Sequence, residues 1–209
     1  LPILREYGAL ASEHDFWEAE FQARTGLSRR VEEGATGTEA HIWNDYFAAL
    51  FAGCGVPPQH LGAVGARIRE VHRESHLWTW VDPATAPALA ALESEGYRMA
   101  VISNADGRVE ELIRGAGLAA YFEFVLDSEV EGVEKPDPEI FLRACRRMGV
   151  MPERSLYVGD LYPVDVLGAR AAGLRALLLD PMGRLDYPVD AIADVAALPA
   201  YLARVSPRR

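Results

Sequence analysis

The sequence predicts an α/β protein, a parallel sheet with helices on both faces, preceded by an all-helical segment. From about residue 83 short, nearly all-apolar runs alternate with helical stretches of about ten residues, the pattern of strands buried on both faces. Before residue 80 the apolar residues recur at helical spacing and nothing alternates with period two. Half of the 209 residues are apolar and a quarter are charged, enough to bury a sizeable core. The boundaries follow as 1–80 for the helical part and 81–209 for the α/β part.

In the first part the helical rows are Leu4, Tyr7 and Leu10, then Phe16, Trp17 and Phe21. Ile42, Trp43, Tyr46, Phe47, Leu50 and Phe51 form a third row, and Leu61, Val64, Ile68 and Val71 a fourth. Gly26, residues 34–37 and Gly53 to Pro58 read as turns. In the second part a helix over Pro87–Glu95 stops at Gly96, and Tyr97–Ile102 is a strand ending in Ser103-Asn104. Arg108–Arg114 is a helix with Asp106 as its expected N-cap, and Phe122–Leu126 the next strand. Asp137 as N-cap and Pro138 in the first turn start a helix that Gly149 ends. Ser155–Val158 is the third strand, Pro163–Ala172 a helix and Arg175–Leu179 the fourth strand. The tail Ser206–Arg209 is expected to fray.

Charge and composition exclude several classes. With 21 basic and 31 acidic residues the formal charge is −10. That opposes general nucleic-acid binding, which rests on Lys and Arg neutralising phosphates. No run approaches the roughly 18 apolar residues needed to span a bilayer, and no signal peptide is visible at the start. Cys54 and Cys145 sit in apolar helical patterns and read as reduced core thiols, so a cytoplasmic setting is expected. A monomer or homodimer fits this composition. A small phosphorylated molecule held by a few local groups is compatible with the acidic balance.

Ligands of open parallel sheets bind beyond the carboxyl ends of the strands. Three of the four expected strands lead into polar residues there: Ser103-Asn104, Lys135-Pro136-Asp137-Pro138, and Gly159-Asp160 with Asp165 four positions beyond Leu161. Each alone is an ordinary turn, cap or loop element. Together they set out a hydroxyl, a cation and a carboxylate pair, which is what a phosphorylated ligand plus a divalent cation requires. The hydroxyl donates to a phosphoryl oxygen, the lysine offsets charge, and hard carboxylate oxygens hold Mg²⁺.

Val101-Ile102-Ser103-Asn104, Lys135-Pro136-Asp137-Pro138 and Gly159-Asp160-x-x-x-x-Asp165 resemble motifs II, III and IV of the haloacid dehalogenase-like (HAD) hydrolase superfamily, in order and at ordinary separations. Ala171-Ala172-Gly173 fits as well. The resemblance covers the whole α/β part, a Rossmann-like core, and the helical part resembles the C1-type cap of subfamily I. It implies a Mg²⁺-dependent phosphatase acting through an aspartyl-phosphate. Ser103 and the backbone N–H of Asn104 would bind the phosphoryl group, and Lys135 would bridge that group and the nucleophile. Asp160 would coordinate Mg²⁺ and Asp165 would support the metal from the same loop. The cap would shape the pocket, with Trp43, Tyr46, Phe47, Trp78 and Trp80 as candidates to line it or, at helical spacing, simply to form core. Trp78 and Trp80 would alternatively pack the hinge before Val81-Asp82-Pro83. His41, His72 and His76 read as surface or core residues rather than metal ligands.

The chain departs from the family pattern in one respect. Motif I, an apolar strand ending in Asp-x-Asp, has no counterpart: Asp15, Asp45 and Asp82 follow no apolar strand, and Leu1–Ser12 already reads as a cap helix. Since motif I is the family's central strand, the sheet is expected to lack its middle, and the chain as given to lack the nucleophile and turnover. Orphaned buried backbone groups cost roughly 1–3 kcal/mol each, against a net stability of about 5–15 kcal/mol. The chain opens at Leu1 and not at methionine, so an upstream extension carrying that strand is expected, ahead of direct pairing of the two inner edges or a strand from another chain. Two other functions stay open: a 2-haloacid dehalogenase, which needs no metal, and a non-catalytic binding or scaffold protein, which the absent nucleophile favours and the presence of Ser103, Lys135 and Asp160 opposes.

Overall fold

The first unit of the computed structural model, which describes residues 2–34 and 40–205, is helical among the described residues. Part of the turn expected at residues 34–37, the side chain of His41, and the tail 206–209 lie outside those residues. The chain divides into two compact units, Leu1–Trp78 and Thr79–Arg209.

The first unit contains α1 (Pro2–Glu6), α2 (Glu13–Glu32), α3 (Ala40–Gly53) and α4 (Leu61–Glu74). The sequence reading of Leu1–Ser12 as one helix is corrected. The chain turns at Gly8, whose φ of 92° is unfavourable for any residue with a Cβ. Ser12 then starts α2 through a capping box: its hydroxyl accepts from the Asp15 N–H (3.2 Å), and Asp15 Oδ2 accepts from the Ser12 N–H (2.9 Å). Leu4, Leu50, Phe51, Cys54 and Val64 form the centre of the unit's core. Helices α2 and α3 approach so closely at Gly53 that a Cβ there would stand 2.7 Å from that of Ala19. Cys54 and Cys145 are free and buried.

The second unit alternates helices and strands: α5 (Thr85–Ser94), β1 (Val101–Ser103), α6 (Val109–Gly115), β2 (Val125–Asp127), α7 (Ser128–Glu131), α8 (Pro138–Met148) and β3 (Leu156–Gly159). A wide turn over Tyr162–Val166 runs into α9 (Leu167–Ala171), followed by β4 (Arg175–Leu179), β5 (Ala191–Ile192) and α10 (Leu198–Val205). As expected, Asp137 caps α8, accepting from the Glu139 N–H (2.9 Å), with Pro138 in the first turn and left-handed Gly149 at the far end. Asp106 is not the N-cap of α6; Arg108 holds that position, and the Asp106 carboxylate pairs with its side chain (2.5 Å). β5 has no counterpart in the sequence reading, because the three residues between Asp190 and Asp194 are too few to carry a strand pattern.

Among the described residues all strand pairs are parallel, but they form two sheets, β1–β2 and β3–β4–β5. The expected strand Tyr97–Ile102 shortens to Val101–Ser103, and Phe122–Leu126 to Val125–Asp127. Tyr97 and Met99 instead pack with Leu92, Leu177 and Leu202 in one apolar cluster. Ala100 and Ile102 face the other cluster, around Ile140, Phe141 and Ala169. The core therefore lies on both sides of the strands, as a doubly covered sheet requires. No helix among the described residues is long and apolar enough to cross a membrane.

Candidate active site at the strand ends

The carboxyl ends of β1 and β3 lie on the same side of this unit, tied together by side chains from three loops. Ser103 ends β1 and is half-buried, as is Asn104 after it. The Asn104 amide clamps the next loop: its Nδ2 donates to the Lys135 carbonyl (2.8 Å) and its Oδ1 accepts from the Lys135 N–H (2.8 Å). The sequence assigned Asn104 a backbone role; the structure gives its side chain the task of fixing the lysine-bearing loop.

The Lys135 side chain, 12% exposed, then reaches β3, donating to Asp165 Oδ1 (2.7 Å) and to the Tyr157 hydroxyl (3.0 Å). Burial works against its charge, but the Tyr157 and Asp165 oxygens around it more than offset that, so its pKa lies above the ordinary lysine value. Burial also raises the Tyr157 pKa, so the phenol stays protonated. Tyr157 is in turn anchored by donating to the Ile102 carbonyl (3.1 Å) and by an edge-to-face contact with Phe141, centroids 4.9 Å apart.

The two aspartates after β3 play different parts. Asp165 is 2% exposed, and both its oxygens are used: Oδ1 by Lys135, Oδ2 by the N–H groups of Asp160 (3.0 Å) and Leu161 (2.8 Å). It folds the loop back on itself. A Cβ on Gly159 would stand 2.4 Å from the Asp165 carboxyl carbon, so only glycine admits this closure. Asp160, whose N–H is fixed by that closure, has an exposed side chain. Gly168 lets α9 approach in the same way, within 2.9 Å of the Pro136 carbonyl for a virtual Cβ.

Sequence reasoning missed three supporting groups. Asp127, 5% exposed at the end of β2, accepts from the N–H groups of Gly107 (3.0 Å), Val109 (3.3 Å) and Glu129 (3.1 Å), and so shapes the loop after Ser103. Ser128 Oγ accepts from the Ala105 N–H (3.1 Å). Tyr157 joins the two sheets. For Asp127 and Ser128 the signal was a polar residue at a strand end, which does not separate a loop support from a ligand contact; Tyr157, inside β3, carried none.

The aromatic candidates of the first unit form a packed row. Trp43 lies 5.6 Å from Tyr46, Phe47 stacks on Phe51 at 5.8 Å, and Trp78 lies 6.4 Å from Phe47. Trp80, in the second unit, is 76% exposed. His72 and His76 accept the N–H groups of Leu77 (3.4 Å) and Trp78 (3.3 Å) through Nδ1. A cleft of about 510 Å³ lies elsewhere, at the amino end of β4, with Arg170, Arg175, Asp190 and Tyr201 on its walls. It takes no part in the strand-end chemistry.

A serine, a lysine and two aspartates thus stand at the strand ends of one parallel α/β unit. The chain belongs to the haloacid dehalogenase-like hydrolase family, whose model matches residues 4–173. It is 34% identical over 177 residues to haloacid dehalogenase-like hydrolase domain-containing protein 3 of Mus musculus, covering 84% of this chain and 68% of that protein. It is 45% identical over 100 residues to the glyceraldehyde 3-phosphate phosphatase of Methanothermobacter thermautotrophicus, covering 47% of this chain and 44% of that protein. Its fold is similar to that of the HAD-hydrolase YfnB of Bacillus subtilis bound to magnesium, with a TM-score of 0.69, 21% identity and coverage of 96% of this chain and 88% of that one. The chain spans about two thirds of the length of the first relatives it matches.

Proposed function

We infer that these residues are the phosphate- and metal-binding part of a subfamily I phosphatase with a helical cap, acting on a small phosphorylated metabolite. The observation that carries this reading is the Asn104–Lys135–Asp165 network, which holds a charged lysine at the strand ends, its loop clamped by the residue after Ser103, with Asp160 exposed. The Ser103 hydroxyl makes no hydrogen bond among the described residues, and it would donate to a phosphoryl oxygen together with the Asn104 N–H. Lys135 offsets the negative charge of the transferring group, the electrostatic term that dominates phosphoryl transfer. Asp165 acts by positioning Lys135 and the Asp160 loop.

The donor set fits magnesium, since it consists of hard carboxylate oxygens, with Asp160 as the direct ligand and Asp165 behind it. Bound there, the ion would supply charge neutralisation to the phosphoryl oxygens. No Asp-x-Asp after an apolar strand stands in these 209 residues to carry the phosphoryl group, so the chain as given is expected to be inactive. The 2-haloacid dehalogenase reading finds less support, because Gly159-Asp160 with Asp165 is a metal-type loop.

The test is hydrolysis by the 209-residue chain and by a chain extended upstream with an apolar strand ending in Asp-x-Asp. The extended chain is expected to release phosphate with Mg²⁺ and to stop with a chelator, and Lys135→Ala to lower its turnover by about 10²–10³-fold. Metal-dependent hydrolysis by the 209-residue chain would sink the split assignment. Halide release without metal would favour the dehalogenase, and an upstream sequence without the strand a scaffold.

A further inference from the structure

The amino end of β4, away from the strand-end network, carries a second gathering of charged side chains. β3 and β4 are parallel with Arg175 level with Leu156, so β4 begins about 13 Å along the strands from the level of Asp160. The cleft of about 510 Å³ opens there. Its size falls within the roughly 300–1,000 Å³ of small-molecule sites. Arg170, in the last turn of α9, and Arg175, the first residue of β4, are exposed on its walls. Arg170 Nη2 donates to the Pro188 carbonyl (3.0 Å), which occupies one of the five N–H groups of the guanidinium and leaves the others to a further acceptor.

The remaining walls set the charge balance. Tyr201, from α10, is 7% exposed, and its hydroxyl donates to Asp190 Oδ2 (2.9 Å). Burial and the Asp190 carboxylate raise the Tyr201 pKa, and the charge of Arg175 works against them, so that guanidinium stands near a phenol that stays protonated. The lining thus sets two guanidiniums against one carboxylate, and that carboxylate already accepts from the phenol. The Arg204 guanidinium, 5.5 Å from the centroid of the Tyr201 ring, adds a third cation from α10. In a chain of formal charge −10 this is a local excess of positive charge, which draws anions. Guanidinium forks match the oxygens of phosphate and carboxylate groups. Ala176 and Val189 supply apolar wall beside them.

We propose that this cleft binds a small organic molecule through a phosphate or carboxylate group, the oxyanion held by Arg170 and Arg175 and the apolar body resting on Ala176 and Val189. The ligand has an organic part because a bare oxyanion fills only a fraction of the volume. The Tyr201–Asp190 pair keeps the floor of the cleft in place and turns its carboxylate toward the phenol. The site is separate from the phosphate- and metal-binding residues at the strand ends, and neither assignment depends on the other.

The probes are phenyl phosphate and benzoate, with phenol as the uncharged control, each titrated into the full chain labelled with nitrogen-15 and kept in EDTA. Saturable shifts of the Ala176 and Val189 backbone amide signals are expected with at least one of the two anions and none with phenol. Arg170→Gln and Arg175→Gln should each weaken the binding by at least about tenfold, the loss of a charge-assisted pair. Arg114→Gln removes an equal charge from α6, where Arg114 pairs with Glu110, and should leave the affinity unchanged. Shifts confined to the Ser103 and Asn104 amides would put the anion at the strand ends and overturn the proposal. A response that grows linearly without saturation would also overturn it, as would equal affinity in the parent chain and both cleft variants. If a cleft variant does not fold, the titration of the unsubstituted chain decides by itself.

Discussion

The two sheets of the second unit have strands of similar apolar composition and differ in partnership. β4 has neighbours on both sides, runs five residues and buries Leu177 and Leu178 almost completely. β1 has one neighbour, keeps three residues as strand, and none of them is fully buried. The sequence Tyr97–Ile102 is as apolar as Arg175–Leu179, so the difference is not one of local preference. A strand is defined by its ladder, and a run with one partner keeps only the part that partner matches. What joins the sheets is made of side chains: Tyr157 to Ile102, Lys135 to Asp165 and Tyr157, Asn104 to Lys135.

That link is where the comparison is best broken. Asp165→Leu leaves Lys135 buried without its counter-charge and frees two loop N–H groups, and is expected to cost about 3–5 kcal/mol in urea unfolding. A loss below about 1 kcal/mol would mean the strand-end network does not join the two sheets. Gly159→Ala drives a methyl into the Asp165 carboxylate and should cost about 1–3 kcal/mol, measured the same way. Gly183→Ala, with open space around it, lacks that clash and tests only its left-handed backbone.

Tyr157→Phe removes the hydroxyl that touches Ile102 and Lys135 while keeping the Phe141 contact. It should cost about 1 kcal/mol, with faster amide exchange on β1 and no change on β5. The smallest effect concerns pH. The folded pKa of Lys135 lies above its unfolded value, so its contribution is complete below about pH 10 and is lost only as pH rises through the folded value. Thermal midpoints of the parent chain and Lys135→Met should therefore differ by a constant amount between about pH 6 and 9 and converge only in stronger alkali.

Much of this was legible in the amino-acid order. Apolar runs spaced by helical stretches announce a parallel sheet, because strands buried on both faces admit no polar alternation. Ser103 and Asp160 are visible because a polar residue directly after such a run has one place to go, the carboxyl edge of the sheet, and Lys135 because it precedes the Pro136-Asp137-Pro138 start of α8. Asp137, Pro138 and Gly149 mark α8 because caps act within a few residues of chain.

Interactions across the chain were decided only by the tertiary structure. Asp160 and Asp165 look alike in sequence, yet one is exposed and the other is consumed by Lys135 and two N–H groups. Asn104 becomes the clamp of a loop 31 residues away, and Tyr157 the bridge to a carbonyl 55 residues away. The strand lengths, the two-residue β5 and the division into two sheets likewise depend on which edges find partners. Local chemistry selects the elements and marks the polar ends; only packing decides which of those polar atoms remain available to a ligand.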